Sequence, residues 1–198
     1  LGRNLDHAMN SLTMHLTQVK MFWRLCGVAA VVLAWLVILL SINRNPWFDL
    51  FKHALSDLGG PRAFDPWIYN LGLLITGVIA LIYALYLAYF STGKVALYAS
   101  AFVFIAGIFL ALIGIFPSGT RPHTFVSSWF FVQMWMAILA SSIDFLAKKK
   151  MFSGMILLSI SIAGPLIALL IEWPSVALLE VYGIILIDAY IVVLTVNY

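Results

Sequence analysis

The chain has 198 residues, 64% of them hydrophobic and only 10% charged, with four His, one Cys and a formal net charge of +3; its mean hydropathy is +1.05. A soluble domain carries about a quarter charged residues, so this composition excludes a chain that buries its apolar side chains in one water-exposed fold. The basic residues fall mostly in links between apolar runs. That placement excludes a nucleic-acid-binding surface and points instead to lipid headgroups and membrane orientation.

Residues 1–20 are polar and mixed, with Asp6, His7, His15 and Lys20. They read as a lead-in that need not be native throughout, since Met14 and Met21 are both plausible starts. Residues 21–198 read as a single transmembrane domain. The first apolar run, about Met21–Ile42, is too long for a signal-peptide core and has no small-residue cleavage site after it, so it reads as a retained anchor. It holds Cys26, which as the lone cysteine can form neither an intrachain disulfide nor a Cys-based metal site.

The next segment is Asn45-Pro-Trp-Phe-Asp-Leu-Phe-Lys-His-Ala-Leu-Ser-Asp-Leu-Gly-Gly-Pro61. Asn45 suits an N-cap, Pro46 the first helical position and Gly59 the residue after a helix end. Asp49, Lys52, His53, Ser56 and Asp57 recur at helical spacing, with Trp47, Phe48, Leu50, Phe51, Leu55 and Leu58 opposite. The pattern predicts a short amphipathic helix lying in the membrane interface. Asp49, His53 and Asp57 would then share its polar face, as an acid/base set or as metal ligands. Any interfacial helix needs a polar face, so the plain alternative is solvation alone.

Five further apolar runs follow, at about Trp67–Phe90, Val95–Phe116, Phe125–Leu146, Phe152–Ile171 and Val176–Val196. Each approaches the roughly 20 residues that cross a hydrocarbon core. The links at 91–94, 117–124, 147–151 and 172–175 are short, which makes consecutive helices antiparallel neighbours. The expected fold class is therefore all-α: a polytopic transmembrane bundle of six spans, plus the interfacial helix between spans 1 and 2. Seven Lys and Arg (Arg3, Lys20, Arg24, Lys94 and Lys148–Lys150) fall on one side, against Arg44, Lys52, Arg62 and Arg121 on the other. The positive-inside rule assigns the richer side to the cytoplasm, with both termini there, in the cell membrane.

Chemistry-bearing residues gather on the opposite side. The link after the third span, Gly114-Ile-Phe-Pro-Ser-Gly-Thr-Arg-Pro-His-Thr124, offers Arg121 as a bidentate phosphate donor and His123 at the mouth of the fourth span, with Ser127 one turn on. A lone interfacial His is often no more than a headgroup contact. Glu172 sits in the link before the sixth span, and Glu180 and Asp188 sit within that span, eight residues apart. Intramembrane carboxylates are costly and therefore candidates for function; the alternative is a neutral carboxyl bonded to another helix, through Gln133, Thr76 or Asn70. Asp144 and Lys148, four apart, read as a surface pair.

Leu55-Ser56-Asp57-Leu58-Gly59, Asn70, and Gly114-x-Phe116-Pro117 followed by His123 resemble the motifs of a prokaryotic family of six-span membrane proteins called domain of unknown function 998. The resemblance covers about residues 22–197 and implies the topology, with little about activity. A more distant resemblance is to membrane hydrolases of the alkaline ceramidase and progestin-receptor type, which hold zinc through three His with Asp and Ser. This chain has four His, two of them in the lead-in, and no His-x-x-x-His pair.

The function these residues suggest is binding of a lipid or other amphiphile in a polar pocket on the extracytoplasmic face. His53, Asp57 and His123 are its catalytic candidates for hydrolysis, with Asp49, Ser56, Arg121, Ser127, Glu172, Glu180 and Asp188 as ligand-binding candidates. No cofactor is expected; were a metal held, it would be zinc on His53, Asp57 and His123. The partners are the lipid bilayer and an amphiphilic small molecule, and no nucleic acid. The competing readings are a proton-coupled carrier that uses Glu180 and Asp188, and a structural or accessory subunit. No nucleotide-binding, redox, haem-attachment or nucleophile-elbow motif occurs.

Overall fold

A computed structural model describes the backbone from Gly2 to Tyr198 and the side chains of residue 21 and residues 23–198. The side chains of the 1–20 lead-in lie outside the described residues. The chain order is α1 (Gly2–Arg44), a 3-10 turn (Leu55–Gly59), α2 (Pro66–Tyr89), α3 (Lys94–Ile115), α4 (His123–Ala147), α5 (Met151–Leu170) and α6 (Val176–Asn197). Six of these segments, α1 from Trp23 onward and α2 to α6, are long and apolar enough to cross a membrane. The perimeter is studded with exposed Leu, Ile, Val, Phe and Trp, as a lipid-facing surface requires.

α2, α3 and α4 form the tightly packed body, with α1 against α2 and α5 against α4; α6 touches α1, α4 and α5 sparsely. The α2–α3 seam is built on small residues. A Cβ at Gly77 would meet the backbone of Ala111 and Gly107, and one at Gly114 would meet the backbone of Asn70 and Leu74. Such close backbone approach is the usual basis of helix association in lipid, where no hydrophobic drive exists between helices.

Two buried clusters fill the bundle. One surrounds Leu55, Leu58, Tyr69, Leu73, Ile113 and Val126. The other surrounds Tyr83, Phe145, Leu157, Tyr190 and Leu194. The ends holding them are called here the cap side, where the 45–65, 116–122 and 171–175 links lie, and the lysine side, which carries Lys94 and Lys148–Lys150.

Backbone polar groups find partners even where the sequence breaks the helix pattern. Pro165 lies inside α5 and has no N–H for the carbonyl of Ser161; the Trp135 indole of α4 donates to that carbonyl at 2.8 Å. Ser175 caps α6 by accepting the Leu178 N–H at 3.1 Å. The expected surface pair of Asp144 and Lys148 is present at 2.7 Å, but Asp144 is only 5% exposed. It is buried together with Ser141 and Phe145, and Ser141 one turn earlier meets Tyr190 of α6 at 2.9 Å.

The stretch after α1 departs from the predicted helix. Residues 45–54 form successive turns, and helical structure is confined to the Leu55–Gly59 turn, which is buried rather than interfacial. Asn45 is no N-cap. It is 1% exposed, and its amide ties the two ends of the loop together. Nδ2 donates to the carbonyls of Ser41 (2.7 Å) and Phe64 (3.2 Å), and Oδ1 accepts from the Phe64 N–H (2.6 Å) and the Trp47 indole (2.9 Å). Beside it Arg44 grips Asp65 through Nε (2.9 Å) and Nη2 (2.6 Å), which holds the Asp65 carboxyl below the usual range. Tertiary hydrogen bonds between residues 19 to 21 apart thus outweigh a local helical spacing.

Candidate functional site

The closed loop is a cap laid over the end of the bundle. Its bonds reach both other links on that side. Asp57 uses Oδ2 to accept the Ala54 N–H at 3.0 Å and Oδ1 to accept the Ser118 hydroxyl at 3.1 Å. The Ser175 hydroxyl donates to the Leu50 carbonyl (2.6 Å), and the Ala177 N–H donates to the His53 carbonyl (2.9 Å). Asn70 holds the Gly59 carbonyl at 3.0 Å. The deepest tie runs from the Leu55 N–H to Glu180 Oε2 at 2.6 Å.

Beneath the cap lies a cavity of about 120 Å³. Its walls come from α1, α2, α3, α4 and α6, and they are mostly apolar. The cap-side end presents Ser56, Tyr69, Ser127 and Glu180, and Asp188 stands about two turns further along α6. Asp188 Oδ2 accepts the Trp35 indole N–H at 2.8 Å. The sequence pointed to Gln133, Thr76 or Asn70 as its partner; Thr76 instead bonds the Gly72 carbonyl of its own helix, and Asn70 holds the cap. Tyr69 is 6% exposed, and among the described residues neither its hydroxyl nor that of Ser56 has a hydrogen-bond partner. Polar groups placed in an apolar wall without protein partners leave hydrogen-bonding capacity for whatever enters.

The sequence-derived candidates divide. Ser56, Ser127, Glu180 and Asp188 line this cavity; His53, Asp57, His123, Asp49, Arg121 and Glu172 do not. Asp57 is occupied by the cap. Asp49 closes a turn by accepting the Phe51 N–H at 2.9 Å and pairs with Lys52 at 3.0 Å, and both bonds pull its carboxyl below the ordinary range. Arg121 and Glu172 are exposed. Among the described residues no three His, Cys, Asp or Glu side chains come together as a metal-holding group, so His53, Asp57 and His123 do not form the zinc set considered from the sequence.

The two histidines are both held by local backbone. His53 Nδ1 lies 2.9 Å from the Asp49 N–H and 3.2 Å from the Asp49 carbonyl, so either ring tautomer finds a backbone partner there. That ring packs edge-on to Trp47 at 5.2 Å. His123 Nδ1 lies 2.8 Å from the Phe116 carbonyl, which can only accept, so its proton sits on Nδ1. Each ring spends one nitrogen on the local backbone, which explains both as fasteners of their links.

Sequence reasoning expected a polar pocket on this side but missed Tyr69, Trp35 and the mostly apolar walls of the cavity. One signal was present: Gly27, Ala30 and Ala34 recur at helical spacing in α1 and all face the void. Small residues at that spacing mark either close packing or a gap, and only the packing of α6 decides which. A family model described as a protein of unknown function (DUF998) matches residues 28–197. No curated protein and no solved structure matches the chain.

Proposed function

The chain belongs to the DUF998 family of membrane proteins of unknown function, and we propose that its activity is to bind a small amphiphile in the cavity beneath the cap. The observation that carries this reading is the division of the cavity wall: polar groups at the cap end, apolar side chains from five helices along the remainder. An amphiphile matches both parts, with its head at the cap and its tail along the bundle. A cavity of about 150 Å³ takes a group the size of benzene, so the enclosed part of the ligand is small. α6 packs sparsely against α1 and α4, and a longer tail would leave the cavity beside it, toward lipid.

Binding is favoured over the other readings by two features. The lysine half is packed shut by Tyr83, Tyr190, Phe145 and Leu194, each at most 2% exposed, so the cavity does not continue as an open path across the bundle. The histidines considered for hydrolysis stand outside the cavity wall.

The test is saturable binding of decanol to protein in zwitterionic nanodiscs. Ala80→Phe, which fills the cavity, is expected to weaken binding by about tenfold or more, on the scale of one buried aromatic displaced by another. Leu169→Phe, at an 83% exposed position on the perimeter, leaves binding unchanged. Absence of saturable binding, or equal behaviour of the two variants, overturns the reading.

The proposal includes an orientation: cap side outside the cytoplasm, lysine side within, as the Lys and Arg bias favours. In intact cells a membrane-impermeant maleimide should label Thr120→Cys and spare Lys149→Cys, both in a Cys26→Ser background. The reverse pattern inverts the protein.

A further inference from the structure

The cavity carries two carboxylates and no cation. Glu180 and Asp188 line it, and among the described residues no Lys, Arg or His does. Elsewhere three acids are paired with cations. Asp65 holds Arg44, Asp49 holds Lys52 and Asp144 holds Lys148, each within 3.0 Å. Among the described residues no cation pairs with Asp57, which spends its two oxygens on Ala54 and Ser118. The two acids in the cavity wall each receive one neutral donor, the Leu55 N–H for Glu180 and the Trp35 indole for Asp188. In both cases that donor engages one oxygen, and the second carboxylate oxygen has no hydrogen bond among the described residues.

An acid charge in an apolar wall is costly when nothing opposes it. A ligand that brings the opposing charge gains most from such a wall, and one that brings a second negative charge is repelled. The other contributors fit a cation with an organic body. Tyr69, Phe130 and Phe131 are among the residues that line the void, and aromatic rings attract ammonium groups. A bare inorganic cation fits poorly, because calcium takes six to eight oxygen ligands and magnesium six, and most of this wall is aliphatic or aromatic carbon.

We propose that the amphiphile taken by this cavity is a lipophilic amine, whose ammonium group sits against Glu180 at the cap end, beside Ser56 and Tyr69, and whose apolar tail runs along α6 past Asp188. The inference rests on the binding reading above and adds the charge of the head. It also gives the tie between Leu55 and Glu180 a second meaning: the ammonium and the cap share one carboxylate, so ligand and loop are held by the same side chain.

The test compares decylamine with decanol on the full chain in zwitterionic nanodiscs, so that chain length is constant and surface charge is absent. Wild type is expected to bind the amine about tenfold or more tightly than the alcohol, the scale of one charge-assisted hydrogen bond in a sheltered site. Glu180→Gln, whose amide oxygen still accepts the Leu55 N–H, should erase that preference by weakening the amine far more than the alcohol. Asp188→Asn should reduce it less. Equal binding of amine and alcohol by wild type overturns the amine inference and leaves the cavity reading standing. Binding of neither overturns the cavity reading instead. An amine preference undiminished in Glu180→Gln, with a wild-type thermal midpoint as proof of folding, also overturns the assignment to Glu180. Should that variant fail to fold, the wild-type ratio decides alone.

Discussion

Asn45→Ala is expected to cost about 2–4 kcal/mol of stability, within the range for breaking a buried polar network, and to lower the thermal midpoint of the purified protein accordingly. The reason is the completeness of what it removes. All four hydrogen-bonding positions of the amide are in use, with three other residues. Removing it leaves the Phe64 N–H and carbonyl, the Ser41 carbonyl and the Trp47 indole without this partner, at a site that is 1% exposed. The consequence extends past stability, since the loop closed by Asn45 carries Leu55 and Ser56 into the cavity wall. Ligand binding should therefore weaken together with the thermal midpoint. Asn45→Asp gives no rescue: it keeps the two acceptor contacts but sets a carboxylate against two carbonyl oxygens. Normal stability in Asn45→Asp would show that shape, not donor chemistry, closes the loop.

Asn45 also shows where sequence reading succeeds and where it fails. As a residue before Pro46 at the end of an apolar run, it has every local mark of a helix cap. Its actual partner, Phe64, is 19 residues away, and no local pattern announces a contact at that range. The same holds for Asp49, His53 and Asp57. Their helical spacing is real, yet the backbone spends it on turns: Asp49 and His53 bond within the local 49–53 turn, and Asp57 reaches Ser118 in a neighbouring link. The six spans were legible because a helix in lipid satisfies its own backbone and needs only length and hydropathy. The gathering of polar residues on one side was legible for the same reason, as it follows from counting links. Glu180 and Asp188 stood out as intramembrane acids. What they face depends on how loosely α6 packs, and that is a property of the folded bundle that the composition of α6 does not encode.

The sharpest packing test lies in the α2–α3 seam. Gly114→Ala is expected to be strongly destabilising, on the order of 1–3 kcal/mol or more for an overpacked interior, whereas Gly164→Ala should fall within about 1 kcal/mol of wild type, its clash offset by the better helix propensity of Ala. A Cβ at Gly114 meets the backbone of Asn70 and Leu74, which cannot move aside without separating the two helices. A Cβ at Gly164 meets only the Leu186 Cδ1 atom at 2.8 Å, the end of a side chain that can rotate. Asn70 links this seam to the site. The residue whose carbonyl crowds Gly114 also holds the Gly59 carbonyl through its side chain, and the next residue but one after Gly59 turns the cap back toward α2. Forcing α2 from α3 at this level therefore pulls on the cap as well as the seam, and it shifts Tyr69 and Leu73 in the cavity wall. Gly114→Ala should lose amphiphile binding along with stability, while Gly164→Ala keeps both. Equal thermal midpoints for the two variants would mean that the seam is not as close as its backbone contacts require, and that the cavity wall is set by some other constraint than the contact of α2 with α3.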